Sequence, residues 1–385
     1  MSWTPEMTRL AEPLEWFDAL HARTARTHGG RLVDLSFANP RTQLDSRGYE
    51  VLHEVSATLD VDQLQNRPFG GGSVERRRVA AGLARHSGVA FGVGDVFLTP
   101  GGAAALHIAF EVACPPGAEV LVPVPCWIDY PLFLVRHGLT YRTVHLAADK
   151  RLDVAALDRA WGPATAAVVL SQPACPTGVV YDAEELGRLA DLLGDKRGPQ
   201  GRAPVLISDE VHRDEVWSGG PLTSPAACYP HTIVTYSFGK AWRMHGQRAG
   251  CLALSPALED HDVRADNARR SLRATGHYGP TAVMQRVAAE LAGLTPDIAG
   301  LGEDQRHARA RLDAMGYDVV AAQATPFVYA RCPDGTPDRD FATRLAQSGL
   351  LVMPSSVFHE PGWFRLALNC TRDHLDHALE ILKGM

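Results

Sequence analysis

Short apolar runs alternate with amphipathic stretches along the middle of the chain. The apolar runs predict strands at residues 95–100, 119–125, 166–173, 204–210, 232–238 and 250–256. Between them, residues 101–113, 127–138 and 182–195 have the periodicity of helices, and Asp182 with Glu185 forms a capping-box pattern in the third. Strands that are apolar along their length and alternate with helices indicate an α/β fold with a mostly parallel sheet covered on both faces.

The last part of the chain has a different order of elements. Helices are predicted at residues 306–316, 338–349 and 372–384, and strands at 327–332 and 363–369. This pattern is typical of a small α+β domain, and residues 255–276 predict a long helix that joins it to the first part. We therefore predict an N-terminal arm at 1–40 that is part of the small domain, a large domain at 41–272 and a small C-terminal domain at 273–385.

Composition narrows the class of protein. The 385 residues include 45% apolar and 21% charged residues, as in ordinary globular proteins, and the net charge of −6 argues against a nucleic-acid binder. No apolar stretch is long enough to span a membrane, and no secretory signal is visible, so we expect a cytoplasmic protein. The seven cysteines form no regular framework, which is typical of reduced thiols, and we predict no metal site.

One lysine draws attention to residues 235–250, TYSFGKAWRMHGQRAG. Arginine supplies nearly all of the positive charge, and the lysines are Lys150, Lys196, Lys240 and Lys383. A lysine amine can lose its proton and attack a carbonyl group, whereas an arginine keeps its charge. A single lysine beside a loop is more often a surface residue, so the interpretation depends on its neighbours.

Other polar residues fall where the predicted strands end, which is where ligands bind in sheets of this kind. Asp209 ends the strand at 204–210, and a buried carboxylate there needs a cationic partner or serves as a cap. Two glycines at 101–102 precede a helix, whose free N–H groups can bind an anion. Ser237 and Arg248 lie on either side of Lys240 and could bind a phosphate group.

Together these positions resemble the fold-type I pyridoxal-phosphate enzymes, specifically the class I/II aminotransferase superfamily. The resemblance runs from about Asp34 to the C-terminus, and it is most specific at Lys240, Gly246, Arg248 and Gly250, which match the signature around the family's cofactor-binding lysine. It implies the pyridoxal-phosphate-dependent transferase fold, with a mostly parallel central sheet sandwiched by helices and a small α+β domain.

The resemblance also implies roles for individual residues. Lys240 would hold pyridoxal phosphate covalently and move the α-proton, while Asp209 would pair with the pyridine nitrogen. Trp127 would stack on the ring, Arg365 would bind the substrate α-carboxylate, and Ala38 would line that carboxylate site. The phosphate group would be held by Gly102, Ala103, Ser237 and Arg248.

Two departures from the family pattern lie beside the cofactor's phenolic oxygen. Cys175, in QPACPTG, takes the place of an asparagine, and His212, in DEVH, takes the place of a tyrosine. Weaker donors to this oxygen would change the electron flow through the ring and would mark a specialised reaction. The alternative is that His212 donates adequately and that Cys175 only fills space.

The resemblance favours an aminotransferase that acts at Cα of an amino acid or amino-acid conjugate. Two other reactions stay open: β-elimination by a C–S lyase, because SDEVHRDEVW is also similar to the cystathionine β-lyase-like branch, and decarboxylation-dependent oxidative deamination. The family implies a homodimer with the active site between subunits and a small-molecule substrate. A role as an effector-sensing domain is less favoured, because the 30 or so residues before DLSFANP contain no helix-turn-helix pattern.

Overall fold

Helices and strands alternate through most of the chain in the computed structural model, which describes residues 3–40, 46–220 and 222–385. The helices are α1 (Pro5–His28), α2 (Ser46–Thr58), α3 (Ser73–Ser87), α4 (Gly102–Ala113), α5 (Tyr130–Arg136), α6 (Val154–Ala160), α7 (Ala183–Asp195), α8 (Pro225–Cys228), α9 (His261–Ala274), α10 (Ala282–Leu291), α11 (Ala299–Ala314), α12 (Asp338–Gln347) and α13 (Arg372–Lys383). The strands are β1 (Val33–Asp34), β2 (Val96–Thr99), β3 (Glu119–Val124), β4 (Thr140–His145), β5 (Thr165–Ser171), β6 (Val205–Asp209), β7 (Thr232–Ser237), β8 (Gly250–Leu254), β9 (Phe327–Arg331), β10 (Leu350–Leu351), β11 (Met353–Pro354) and β12 (Trp363–Ala367).

The central sheet has seven strands in the order β2-β8-β7-β6-β5-β3-β4. Strands β4, β3, β5, β6 and β7 are parallel, and β8 runs antiparallel to both β7 and β2. The six predicted strands of this region are confirmed. Strand β4 was not predicted, because this edge strand is largely exposed and its sequence TYRTVH has no apolar run.

Both faces of the sheet are buried, as the continuous apolar runs predicted. In β5, Ala167 and Val169 pack into a cluster with α4 and α9, whereas Val168 and Leu170 pack into a second cluster that includes α7. Successive side chains of a strand point to opposite faces, so this division places helices on both sides. The mostly parallel, helix-covered α/β fold is confirmed.

The predicted long helix at 255–276 is wrong in its extent. Helix α9 begins only at His261, after a turn in which the Leu258 nitrogen donates to Ser255 and Asp260 takes a left-handed conformation (φ 56°). Pro256, inside this turn, has no N–H group to continue a helix ladder. Through Ala265, Ala268 and Leu272 the helix packs into the same cluster as α4, so it covers one face of the sheet.

The C-terminal part contains a three-stranded antiparallel sheet, β11-β12-β9, and helices α11 to α13. Strand β1 pairs in parallel with β10, which ties the N-terminal segment to this part of the chain. Helix α10 packs against α2 and α3, although it lies beyond the predicted boundary at 272–273. The boundary at 40–41 borders residues 41–45, which lie outside the described residues, and both boundaries stay predictions. Within the described ranges, no helix is long and apolar enough to cross a membrane.

Candidate active site

The strand directions bring the polar residues of the sequence analysis to one edge of the central sheet. Strands β3, β5, β6 and β7 end at this edge, and β2 ends there too because it is antiparallel to β8. A cavity of about 390 Å³ lies at this edge. All of the predicted site residues line it: Ala38, Gly102, Ala103, Trp127, Cys175, Asp209, His212, Ser237, Lys240, Arg248 and Arg365.

Lys240 lies in the turn after β7, and its amine faces the cavity. Burial lowers the pKa of this amine, and the positive charges of Arg365 and Arg248 act in the same direction, against the opposing effects of Glu215 and Cys175. A lowered pKa increases the fraction of neutral amine, which is the form that acts as a nucleophile and as a base.

Asp209 ends β6 and is almost fully buried, with 4% of its surface exposed. Its two oxygens accept hydrogen bonds from the Tyr130 hydroxyl at 2.7 Å and from the Thr235 hydroxyl at 3.1 Å. Burial raises the pKa of Asp209, and these two hydroxyl groups act against the rise. Both hydroxyl donors are neutral, so they leave the negative charge of the buried carboxylate without a counter-charge. A cationic N–H group bound in the cavity would supply one, and a protonated pyridine nitrogen is such a group.

Tyr130 is a site residue that the sequence analysis missed. It begins α5, and its fully buried ring packs edge-to-face on Trp127 with centroids 5.4 Å apart. The residue lies three positions after Trp127, but 79 positions separate it from Asp209. Only the strand order of the sheet reveals that these two side chains meet.

The anion site combines a helix start, a hydroxyl group and a guanidinium group. Helix α4 begins at Gly102, and Gly101 before it has φ 92°, which favours glycine. A Cβ atom on Gly101 would lie 2.5 Å from Arg248 Nη2, so the guanidinium group packs directly on this turn. The side chain of Ser237 lines the same corner of the cavity. Free N–H groups with a cation beside them fit a phosphate group.

Arg365 is held between two aromatic rings. Its guanidinium carbon lies 4.2 Å from the centroid of Phe327 and 4.8 Å from that of Phe358, and Nη2 donates to the Ser36 carbonyl at 2.8 Å. Burial lowers its pKa to about 10, so it keeps its charge at neutral pH. Its buried Nε has no partner among the described residues. Ala38 lies on the same N-terminal segment and lines the cavity beside it.

Cys175 and His212 both line the cavity. Cys175 raises the pKa of Arg365, against the larger effect of burial. The Nδ1 atom of His212 lies 2.5 Å from a carboxylate oxygen of Glu215, which the sequence analysis did not single out. Burial lowers the pKa of His212, but Glu215 and Cys175 raise it by more, to about 9.

His245 is a further cavity residue that the sequence analysis did not identify individually. Its backbone carbonyl accepts a hydrogen bond from Arg248 at 2.8 Å. Burial lowers the pKa of its imidazole to about 3, with contributions from Lys240 and His212, so the ring is neutral. Among residues 3–40, 46–220 and 222–385, no group of three or more His, Cys, Asp or Glu side chains is placed to hold a metal ion.

Comparison with known proteins identifies the family. Residues 63–382 match the family profile of "Aminotransferase class I and II". The chain belongs to the class I and II aminotransferase family. The chain is thus a pyridoxal-phosphate-dependent transferase, and the residues of the cavity fit that cofactor because an anion site, a buried carboxylate and a lysine amine share one space.

The aminotransferase is similar to proteins from several bacteria. It is 27% identical to a probable aspartate/prephenate aminotransferase of Thermus aquaticus over 79% of each chain. It is 26% identical to a probable N-acetyl-LL-diaminopimelate aminotransferase of Bacillus subtilis over 75% of this chain and 73% of the relative. A solved aminotransferase structure from Eubacterium rectale has a TM-score of 0.90 at 22% identity and covers 100% of this chain and 98% of its own. These relatives favour the aminotransferase over the β-elimination and decarboxylating alternatives.

Proposed function

We propose that this cavity transfers an amino group from an amino acid to a 2-oxo acid, with Lys240 as the catalytic residue. The observation that supports this proposal is that the Lys240 amine shares one cavity with the buried Asp209 carboxylate and the buried Arg365 guanidinium. Pyridoxal phosphate, when bound, supplies a ring that withdraws electrons from the substrate Cα. The protein's own side chains then bind, orient and move protons.

Lys240 moves the proton in this proposal. Its amine would accept the proton from the substrate Cα and return it later in the transfer, as a general base and then a general acid. Burial lowers the pKa of the amine, which increases the fraction of the neutral form that can accept a proton. Arginine at this position could not perform the step, because it stays protonated.

The other cavity residues would hold the two ligands. Arg365 binds the substrate α-carboxylate through paired N–H groups, and its orphan Nε supports this because it still has a hydrogen bond to donate. Ala38 leaves space for that carboxylate. Asp209 binds the pyridine nitrogen, and Trp127 stacks on the ring. The remaining contacts would come from Gly102, Ala103, Ser237 and Arg248 at the phosphate, and from Cys175 and His212 at the phenolic oxygen.

The test is a panel of amino acids and cysteine S-conjugates with the purified holoenzyme, with products identified by mass spectrometry. The names of relatives make aspartate and prephenate the first substrates to pair. We expect matched formation of a 2-oxo acid and a new amino acid, and Lys240→Ala should abolish it together with the visible cofactor band. Lys196→Ala is the matched control, because Lys196 pairs with Asp158 away from the cavity. Release of a thiol with pyruvate, or turnover by Lys240→Ala, would contradict the proposal.

We propose that the protein is a homodimer whose cavity is completed by the second subunit. An exposed apolar patch supports this: the rings of Phe69 and Tyr278 stand 5.1 Å apart with 43% and 54% of their surfaces exposed, and Val74 nearby is 53% exposed. Multi-angle light scattering should give twice the chain mass. Phe69→Asp should yield monomers that turn over poorly, while Val263→Asp, at an exposed apolar position on α9, should stay dimeric.

We also propose a cytoplasmic location, which the odd number and scattered spacing of the seven cysteines support. Fractionation of the native host checks it, and recovery of the protein with the membrane or secreted fraction would contradict it. The division into an arm at 1–40, a large domain at 41–272 and a small domain at 273–385 likewise stays a proposal. Limited proteolysis that cuts between the end of α9 and the start of α10, just after this boundary, would support it.

A further inference from the structure

His212 is fixed by contacts from three separate elements. It begins the 3₁₀ turn after β6, is 3% exposed, and contacts Glu215 of the same turn at 2.5 Å. The ring of Phe327, in β9, meets it edge-to-face with centroids 5.2 Å apart. Cys175, in the loop after β5, lines the same cavity and interacts electrostatically with the imidazole. The imidazole therefore has one orientation relative to the cavity.

The contact with Glu215 decides where the protons of this imidazole lie. A carboxylate only accepts hydrogen bonds, so Nδ1 of His212 must carry a proton. Both side chains are buried, with Glu215 7% exposed, and an ion pair with little solvent around it is poorly screened. The pKa of His212 lies near 9 despite the opposing effect of burial. With a pKa near 9, the imidazole carries a proton on both ring nitrogens at neutral pH, and His212 lines the cavity.

The other titratable groups around His212 do not cancel the rise in its pKa that Glu215 causes. Lys240 lowers the pKa of His212, but its effect is smaller than that of Glu215. His245 is neutral because its own pKa is about 3. The titratable groups that interact with His212 are Glu215 of its own turn, Cys175 in the loop after β5, Asp209 at the end of β6, and Lys240 and His245 in the segment after β7.

We propose that Glu215 is a positioning residue that keeps His212 as a cationic hydrogen-bond donor toward the phenolic oxygen of the bound cofactor. The proposal rests on the placement of the cofactor ring given under the proposed function. The family's tyrosine at this position offers a neutral hydroxyl, whereas His212, protonated and paired with Glu215 through Nδ1, would offer a cationic N–H group there. A positive charge stabilises the anionic form of the oxygen and favours loss of a proton from the neighbouring cofactor–lysine linkage.

The first arm of the test needs no cofactor and no turnover. Cofactor-free protein labelled with ¹³C- and ¹⁵N-histidine is titrated by NMR, and His212→Asn identifies the signal of His212. We expect the wild-type imidazole to titrate near pH 9. Glu215→Gln should bring the midpoint below the ordinary value of about 6.5, because burial then acts without its counter-charge, and Glu215→Asp should restore part of the rise. A midpoint that is equal in wild type and Glu215→Gln would overturn the proposal.

The second arm follows the visible absorption band of the holoenzyme against pH. Glu215→Gln should raise the pH midpoint of this band by about one unit or more, since the charge beside the phenolic oxygen is lost. Asp214→Asn is the matched control: Asp214 is in the same turn but binds Tyr236 and lies near Arg213, and it should leave both midpoints unchanged.

Each remaining outcome decides the proposal. An equal displacement in Asp214→Asn would mean that the turn is merely being disturbed, and would overturn it. A changed imidazole midpoint with an unchanged visible band would show that the charge does not act on the cofactor, and would overturn it too. A wild-type protein with no visible band would refute the proposed function itself and, with it, the link from His212 to the cofactor.

Discussion

Gly250→Ala is expected to damage the phosphate site through the backbone. A Cβ atom at position 250 would lie 2.5 Å from the Tyr236 carbonyl oxygen, 2.7 Å from the Gly101 carbonyl carbon and 2.9 Å from the Gly102 nitrogen. All three are backbone atoms, so no side-chain rotation relieves the contact. The glycine turn and strand β7 have to move apart from β8.

The structure sets the size of this effect. The Tyr236 oxygen must move by about 0.5 Å to restore a separation of 3.0 Å, which is near the tolerance of about 0.5 Å for a binding site. Overpacking costs about 1–3 kcal/mol of folding free energy, which lowers Tm by about 1–4 °C in a chain of this size. Loss of one hydrogen bond to a charged phosphate oxygen costs about 1.5–3 kcal/mol, which weakens cofactor binding about ten- to a hundredfold.

The assay is a spectroscopic titration of cofactor-free protein with pyridoxal phosphate, together with calorimetry. Gly246→Ala is the matched control, because Gly246 belongs to the same signature, yet a Cβ atom there would meet nothing within 4 Å. It should bind the cofactor within a few-fold of wild type. Wild-type affinity and Tm in Gly250→Ala, or equal damage in Gly246→Ala, would refute the steric reasoning.

Three further predictions concern single side chains. Arg365→Lys should raise the KM for the amino acid about ten- to a hundredfold in steady-state assays, because lysine loses the paired geometry, and should leave cofactor affinity unchanged. Asp209→Asn should raise the Tm of the cofactor-free protein at neutral pH and weaken cofactor binding. Burial raises the folded-state pKa of Asp209, so the contribution of this group to folding stability is present below about pH 3.8 and is lost as the pH rises through the folded-state pKa. A thermal scan at pH 7 that shows no gain would contradict this. Iodoacetamide followed by peptide mass spectrometry should label Cys175 more slowly when pyridoxal phosphate is bound, with Cys228, outside the cavity, as the unprotected reference.

Most strands of the central sheet can be predicted from the sequence, because buried parallel strands have to be apolar along their whole length. Polar residues at the ends of those strands can be recognised as well, since a residue such as Asp209 interrupts an apolar run. Strand β4 escapes prediction because an exposed edge strand needs no such run. The extent of α9 depends on a turn around Pro256 whose signal is local and weak.

Contacts between distant segments could not be predicted in the same way. Tyr130 meets Asp209 only because β3 and β6 lie on either side of β5. Glu215 looked like an ordinary charge in a polar stretch until the 3₁₀ turn brought it to His212. The orphan Nε of Arg365 likewise depends on where the N-terminal segment crosses the guanidinium group.

The cavity also has a consequence for how the protein is handled and how fast it takes up its cofactor. The guanidinium groups of Arg248 and Arg365 and the imidazolium group of His212 outnumber the carboxylate of Asp209 among the described residues that line it. The positive electrostatic potential of such a cavity attracts dianions, such as a phosphate group, from solution. Salt weakens this attraction, because the Debye length is only about 8 Å at physiological ionic strength. Reconstitution should therefore be fastest in dilute buffer, and phosphate or sulfate buffers act as competing ligands that slow it.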